Sequence, residues 1–318
     1  MTAPATDSED WLAAVLGLLE ADAPSTVMRA PQVWPRWAVL LPHVLAATGH
    51  FEDLPGPGDQ AGRAETSWLL DRAATYLQVH ARLDEARPLA ERALAIGEAA
   101  YGPDHPAVGT DLNNLATIWK DLGQPQQARP LAERALAIGE TAYGRDHPAV
   151  GIALSNLALI WKDLGQLDQA RPLAERGLAI GEAAYGPDHP DVGVALSNLA
   201  TIWRDLGQLD QARPLAERAV AITETAHGPD HPDVGTDLNN LALIWQDLGQ
   251  PQQARPLAER ALAITEAAYG PDHPAVALRR RNLAALLQGD IGAFPAEASG
   301  PAGQQRGRRG EENANGGA

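Results

Sequence analysis

The chain has 318 residues, no cysteine and a formal net charge of −16. The absence of cysteine excludes disulfides and Cys-ligated zinc or iron–sulfur sites, and the acidic balance argues against nucleic acid, whose phosphates require clustered Lys and Arg. The longest apolar runs, 12–19 and 37–41, are far shorter than the roughly 20 residues that cross a bilayer, and the acidic N-terminus lacks the basic region of a secretory signal. We therefore expect a cytoplasmic protein that binds neither nucleic acid nor membranes.

The two ends of the chain differ from its middle. We expect residues 1–64 to form a small helical N-terminal segment and a linker. Residues 289–318 are rich in Gly, Ala, Gln and Glu, a composition that buries too little apolar surface to fold. We expect a disordered tail there.

A 42-residue repeat fills residues 65–288. Segments 107–148 and 149–190 differ at only nine of their 42 positions, and a fixed period of this length is typical of solenoid folds. A tryptophan recurs at the same spacing, at Trp119, Trp161, Trp203 and Trp245.

Each repeat predicts two helices, here called helix A and helix B. In residues 107–122 apolar side chains recur every three or four positions, which places them on one helical face. Helix A follows a proline suited to the first helical position and ends at a glycine. A second apolar stripe, in residues 128–143, predicts helix B. Because Ala and Gly are frequent on both stripes, the two helices can pack closely as an antiparallel hairpin.

The repeats predict an all-α fold, a right-handed α-solenoid of five hairpins and a capping helix. Copies of helix A are predicted at 66–82, 107–122, 149–164, 191–206, 233–248 and 275–287. The first and last depart from the pattern, as terminal repeats do because one of their faces meets solvent. One proline lies inside each helix B and removes a backbone donor. We therefore expect these helices to start late or to bend near Pro88, Pro130, Pro172, Pro214 and Pro256.

The repeat resembles the tetratricopeptide repeat, in the 42-residue form of the kinesin light chain type. The resemblance is carried by L-x-N-L-A-x-x-W in helix A, the turn glycine, the alanines of helix B and the loop Y-G-P-D-H-P-x-V, and it covers about 65–288. It implies a non-catalytic scaffold, without cofactor or metal, that binds a protein or extended peptide in its concave groove.

The stretch WPRWAVLLPHVLAATGH, residues 34–50, is similar to the segment that joins the nucleotide switch to the repeats in bacterial NB-ARC (STAND-type) signalling ATPases. A phosphate-binding loop needs a lysine after a glycine, but the only lysines, Lys120 and Lys162, lie in I-W-K-D-L-G. This resemblance implies an alternative function, as the sensor arm or a truncated relative of such an ATPase whose nucleotide-binding domain is absent from this chain.

An asparagine recurs in every complete copy of helix A. If helices A line the concave surface, these side chains form a row of amides, which donate and accept hydrogen bonds and so suit the backbone of an extended peptide. The resemblance implies the same role, since the matching asparagine of tetratricopeptide proteins commonly contacts bound peptide. The alternative is that the amides only join neighbouring hairpins. The candidates are Asn113, Asn114, Asn156, Asn198, Asn239, Asn240 and Asn282.

Basic residues lie further along three copies of helix A, at Lys120, Lys162 and Arg204. Two interpretations remain open for them. They pair with acidic groups of a ligand, or, because an aspartate follows each one, they belong to an ordinary solvated helix face.

The remaining repeated side chains favour structural roles. Successive Asp-His pairs are about 10 Å or more apart, too far to share a metal bound at about 2 Å, so we expect them to satisfy backbone N–H groups at the start of helix A. The tryptophans are expected to pack between adjacent hairpins rather than to form a stacking platform. No nucleophile–base pair or carboxylate pair stands out, so the sequence predicts no enzyme.

Overall fold

The computed structural model describes residues 6–53 and 60–287. Every regular element in these ranges is helical. The predicted disordered tail, 289–318, lies outside them. A short 3₁₀-helix, Pro31–Val33, precedes the second α-helix. The α-helices are α1 (Thr6–Asp22), α2 (Trp34–Asp53), α3 (Gln60–Val79), α4 (Leu83–Tyr101), α5 (Pro106–Asp121), α6 (Pro125–Tyr143), α7 (Pro148–Asp163), α8 (Leu167–Tyr185), α9 (Pro190–Asp205), α10 (Leu209–His227), α11 (Pro232–Asp247), α12 (Pro251–Tyr269) and α13 (Pro274–Leu287).

Consecutive helices from α3 onward pack as hairpins. The pairs are α3 with α4, α5 with α6, α7 with α8, α9 with α10 and α11 with α12, and each helix B also packs on the helix A that follows it. Successive helices A contact one another as well, so they lie side by side on one surface. The last helix, α13, packs on α12 as a cap. The predicted all-α, right-handed solenoid of helical hairpins is confirmed.

A histidine fixes the start of each helix A from α5 onward. At α5, His105 Nδ1 accepts a hydrogen bond of 3.2 Å from the N–H of Ala107, and Pro106 takes the first helical position. The same cap occurs at the start of α7, α9, α11 and α13. The capping prediction for the Asp-His pairs is confirmed for the histidine, which also stacks on the aromatic ring four residues earlier.

Each helix A from α3 to α11 ends in a turn that requires a left-handed residue. After α5 the N–H of Gln124 bonds to the carbonyl of Trp119 at 2.9 Å, and Gly123 takes φ +72°, which together form a Schellman motif. The first repeat makes the same turn with Ala81 at φ +58°. Because Ala81 leaves the helical region, α3 ends at Val79 and the predicted helix to residue 82 is wrong.

Replacing Ala81 by glycine is expected to raise the free energy of unfolding by about 1 kcal/mol. A side chain at left-handed φ is crowded by the following carbonyl, and glycine removes that repulsion. The reciprocal change, Gly123→Ala, is expected to lower stability by a similar amount. Urea unfolding of both variants measures the effect, and a loss of stability in Ala81→Gly would contradict it.

The prolines inside helix B do not delay its start. Helix α6 begins at Pro125, before the internal Pro130. Of the two outcomes predicted for these helices the late start is therefore wrong, and the bend near the proline stays a prediction. The physical reason is position: Pro130 lies in the second turn, where it deprives only the carbonyl of Gln126 of its helical partner. Gln126 is exposed, so water can satisfy that carbonyl.

The tryptophans pack between repeats, as predicted. Trp119, Trp161, Trp203 and Trp245 each contact two apolar clusters that belong to successive repeats. An arginine from the preceding helix B covers each indole, with its guanidinium carbon 5.1–5.3 Å from the ring centroid. Each tryptophan therefore joins two hairpins and is shielded by a cation.

The two ends of the array meet, which the sequence did not predict. The ring of Trp34, on α2, stacks on the ring of Tyr269 with centroids 5.3 Å apart. It also packs in a T-shaped arrangement with the ring of His80, with centroids 5.2 Å apart. His273 Nε2 lies 3.3 Å from the carbonyl of Val79, which is 194 positions earlier. The solenoid therefore completes a turn in which the N-terminal helices bridge the first and last repeats.

Candidate functional site

The helices A surround a cavity of about 1230 Å³, which we call the groove. Most of its wall comes from α3, α5, α7, α9, α11 and α13. Residues 25–29 of the loop after α1 and a few residues of α6 and α12 also line it. In the described ranges, no helix is long and apolar enough to span a membrane. The same residues contain no group of three or more His, Asp and Glu side chains placed to hold a metal ion.

Seven of the ten predicted site residues line the groove, namely Asn113, Asn114, Asn156, Asn198, Asn240, Lys120 and Lys162. The other three lie elsewhere. Asn239, on α11, and Asn282, on the capping helix α13, are each 2% exposed, and Asn282 Nδ2 donates to Asn239 Oδ1 at 3.2 Å. Arg204 is buried as well, and its guanidinium faces aspartates.

The amide nitrogens of the asparagine row join neighbouring repeats. Asn114 Nδ2 donates to Asp71 at 2.9 Å, and Asn156 Nδ2 donates to Asn113 Oδ1 at 3.1 Å. Asn240 makes the corresponding bond to Ser197 Oγ, also at 3.1 Å. The amides therefore do connect neighbouring hairpins, as the alternative interpretation expected. Each of these bonds uses Nδ2 and leaves the Oδ1 of the same amide for another partner. The side chain of Asn198 makes no such bond within the described residues.

The basic residues of helix A belong to a buried ladder of ion pairs. Lys162 Nζ lies 3.8 Å from Asp163 and 3.6 Å from Asp205 of the next repeat, and Lys120 Nζ lies 3.3 Å from Asp121. Lys120 and Lys162 are only 7% and 8% exposed. The interpretation of a solvated helix face is therefore wrong, because stacking of the repeats covers these side chains.

A family model described as tetratricopeptide repeat matches residues 65–141, 112–180, 156–225, 194–264 and 238–294. These overlapping matches span most of the chain. The chain belongs to the tetratricopeptide repeat family. Members of this family are generally non-catalytic scaffolds for protein–protein interaction.

Solved structures that are similar to this chain include kinesin light chain-like proteins. A kinesin light chain from Podosopora anserina with nearly identical TPR-like repeats is 28% identical, with a TM-score of 0.49 over 62% of this chain and 93% of that one. BtubC (BKLC) from P. vanneervenii is 21% identical, with a TM-score of 0.54 over 78% of this chain and 94% of the other.

A Rap protein complexed with competence and sporulation factor is 13% identical, with a TM-score of 0.58 over 86% of this chain and 80% of its own. Among curated proteins none matches significantly. None of these findings bears on the resemblance of residues 34–50 to NB-ARC linkers, which stays a prediction; in the structure this stretch lies in α2.

Two buried carboxyls of the tetratricopeptide array were not among the predicted site residues. Burial, reinforced by the negative charge of Asp71, raises the pKa of Asp111 to about 8. Burial also raises the pKa of Asp237 to about 6, although Thr223 Oγ donates a hydrogen bond of 2.7 Å to it. The sequence does carry a signal for these two carboxyls. The two repeats that lie between Asp111 and Asp237 have alanine at the matching position, Ala153 and Ala195, so aspartate there is a departure from the repeat.

The Asp111→Asn variant is expected to be more stable than the wild type at neutral and alkaline pH. The folded pKa lies above the ordinary value of 3.8, so the folded chain binds more protons than the unfolded chain between about pH 4 and pH 8. The charged carboxyl therefore destabilises the fold increasingly as pH rises through that window. We expect a gain of at least about 2 kcal/mol near pH 9 and almost none near pH 4.

Urea unfolding across this pH range measures the difference between the two proteins. Asp104→Asn is the control, because Asp104 is exposed and its replacement should change stability little at any pH. A gain for Asp111→Asn that does not depend on pH would contradict the assignment.

Proposed function

We propose that this tetratricopeptide protein is a non-catalytic scaffold whose groove binds an extended peptide segment of a partner protein. One observation carries the proposal: amide side chains from four successive helices A line a single cavity, at Asn113, Asn114, Asn156, Asn198 and Asn240. A row of amides along a groove suits an extended backbone, because each amide can accept from a peptide N–H or donate to a peptide carbonyl.

The asparagines divide into two groups under this proposal. Asn198 lines the groove and makes no bond to the preceding repeat in the described part of the chain, so its whole amide serves a ligand. Asn114, Asn156 and Asn240 use Nδ2 within the fold and offer Oδ1. Asn239 and Asn282, which lie outside the groove lining, are assigned to repeat packing.

The test is a screen of an unstructured peptide library against the wild type, Asn198→Ala and Asn282→Ala. We expect Asn198→Ala to weaken binding of the selected peptides about tenfold, the equivalent of one or two hydrogen bonds. The control Asn282→Ala removes an asparagine from the same column but outside the groove, so it should bind these peptides normally while unfolding at lower urea. Equal affinity of all three proteins, or equal loss in both variants, would contradict the proposal.

A further inference from the structure

The protein places one of its own cations at the edge of the groove. Arg29, in the loop after α1, lines the groove and adopts a left-handed φ of +57°. Its guanidinium lies 3.6 Å from Asp191 Oδ1 and 3.9 Å from Asp233 Oδ2. These carboxylates stand in the first turns of α9 and α11, so two successive repeats together hold one guanidinium group.

The loop that carries Arg29 is anchored to the N-terminal helices and to the first repeat. The Nε1 of Trp34 donates to the carbonyl of Val27 at 3.1 Å, and an arginine of α3, Arg72, donates to the carbonyl of Ser25 at 3.1 Å. Arg29 thus spans from the first repeat to the helices of the fourth and fifth. Its side chain is still 38% exposed, so its contact with the two carboxylates is weak and replaceable.

Most other cations in the groove are neutralised by the fold. Lys120 pairs with Asp121, and Lys162 lies between two aspartates. Arg72 forms an ion pair with Asp71. Since each charge is balanced by a carboxylate within 4 Å, these groups give the groove little attraction for an anionic ligand.

The amide groups in the groove favour hydrogen-bond donors. A carboxylate only accepts, so Asn114 must turn Nδ2 toward Asp71 and keep Oδ1 free. Asn240 is 6% exposed, lines the groove and donates to Ser197, while its Oδ1 receives no hydrogen bond within the described residues. Asn156 offers Oδ1 in the same way. The available amide nitrogens belong to Asn113 and Asn198, so oxygen atoms predominate.

We propose that the ligand of the groove is cationic: an extended peptide segment with arginine side chains, one of whose guanidinium groups replaces Arg29 between Asp191 and Asp233. This inference rests on the proposed function. Arginine fits because its planar fork forms charge-assisted hydrogen bonds to carboxylates, and its remaining donors match the amide oxygens. The chain's net charge of −16 also favours encounter with a cationic partner.

One exposed arginine of the groove favours the opposite ligand. Arg281 lines the groove, is exposed and has no carboxylate within 4 Å in the described part of the chain. It would attract an acidic peptide, so the experiment includes one.

Three synthetic peptides test the charge preference. Helices that pack about 10 Å apart place α5 and α11 about 30 Å from each other, a span covered by about nine extended residues. Peptides of that length, with both ends blocked, alternate Ala with Arg, Gln or Glu. Isothermal titration calorimetry at about 0.15 M salt is expected to show the Arg peptide binding the wild type at least about tenfold more tightly than the Gln peptide, and the Glu peptide more weakly than both.

Two double variants locate the site. The Asp191→Asn, Asp233→Asn protein is expected to lose the preference for Arg over Gln. The control, Asp168→Asn with Asp210→Asn, removes the same charge at exposed positions at the starts of α8 and α10 and should keep it. Arg29→Ala vacates the carboxylate pair, so it should bind the Arg peptide up to about fivefold more tightly, with its fold checked by thermal unfolding.

Tighter binding of the Glu peptide would overturn the inference and still support a peptide-binding groove. Equal losses in the two double variants would also overturn it, since the attraction would then be to net charge rather than to this site. If none of the three peptides binds, the inference fails, whereas the proposed function is judged separately by the library screen with Asn198→Ala.

Discussion

The Trp161→Ala variant is expected to lower the free energy of unfolding by about 3 kcal/mol. The indole packs against one cluster that includes Ala128 and Leu157 and another that includes Ala158 and Leu199. Its removal leaves a cavity between two repeats that neither repeat can fill alone. The variant also loses the contact with Arg129, whose guanidinium carbon lies 5.2 Å from the ring centroid. Urea unfolding followed by circular dichroism measures the change.

Trp11→Ala is the control for this prediction. Trp11 lies on α1 and is 73% exposed, so its truncation removes little buried surface. We expect stability to change by no more than about 0.5 kcal/mol. Similar losses in both variants would show that the repeated tryptophan does not join the hairpins in the way that the packing indicates.

The Gly151→Leu variant is expected to lower the free energy of unfolding by about 3 kcal/mol. A Cβ at this position in α7 would lie 3.2 Å from Cγ2 of Ile180 and 3.3 Å from the carbonyl oxygen of Gly177. The second contact is with the backbone of α8, which cannot rotate away as a side chain can. A leucine therefore forces apart the two helices of one hairpin. Urea unfolding measures the loss.

Gly181→Ala is the matched control within the same hairpin. Its new Cβ would lie 3.6 Å from Cγ2 of Val192, an ordinary packing distance. Because alanine favours the helix interior more than glycine does, we expect this variant to gain up to about 1 kcal/mol. A loss of stability comparable to that of Gly151→Leu would indicate that the array tolerates no added side chain at either place.

The helical hairpins could be predicted because their signals are local and repeated. The apolar spacing around Trp119 defines a helix face, Pro106 marks its start and Gly123 its end, and the structure places the helix at Pro106–Asp121. Where one of these signals changes, the prediction fails. In the first repeat Ala81 takes the left-handed position of the turn, and nothing in local propensity indicates that an alanine would do so.

The candidate site was predicted only in outline. The period of 42 residues aligns the asparagines in a column, and four of its five members, Asn114, Asn156, Asn198 and Asn240, line the groove. The sequence treats Asn156 and Asn198 alike, yet in the structure one donates to Asn113 and the other has no such bond in the described ranges. Residue type alone does not explain the difference, because Asn198 follows Ser155 in the repeat pattern just as Asn240 follows Ser197, yet only Ser197 accepts the bond. The hydroxyl of Ser155 instead donates to the carbonyl of Gly151 at 3.0 Å.

The sequence by itself therefore determined the type, number and order of the hairpins, because periodic apolar positions, proline and glycine act within a single repeat. Only the tertiary structure decided which polar groups remain available to a ligand. Stacking buried Lys120 and Lys162 among aspartates, and closure of the turn brought His273 to Val79. It also brought Arg29 to Asp233. Apart from the Lys120–Asp121 pair, these contacts join residues far apart in the chain. Their geometry follows from the accumulated rotation between repeats, which no single repeat encodes.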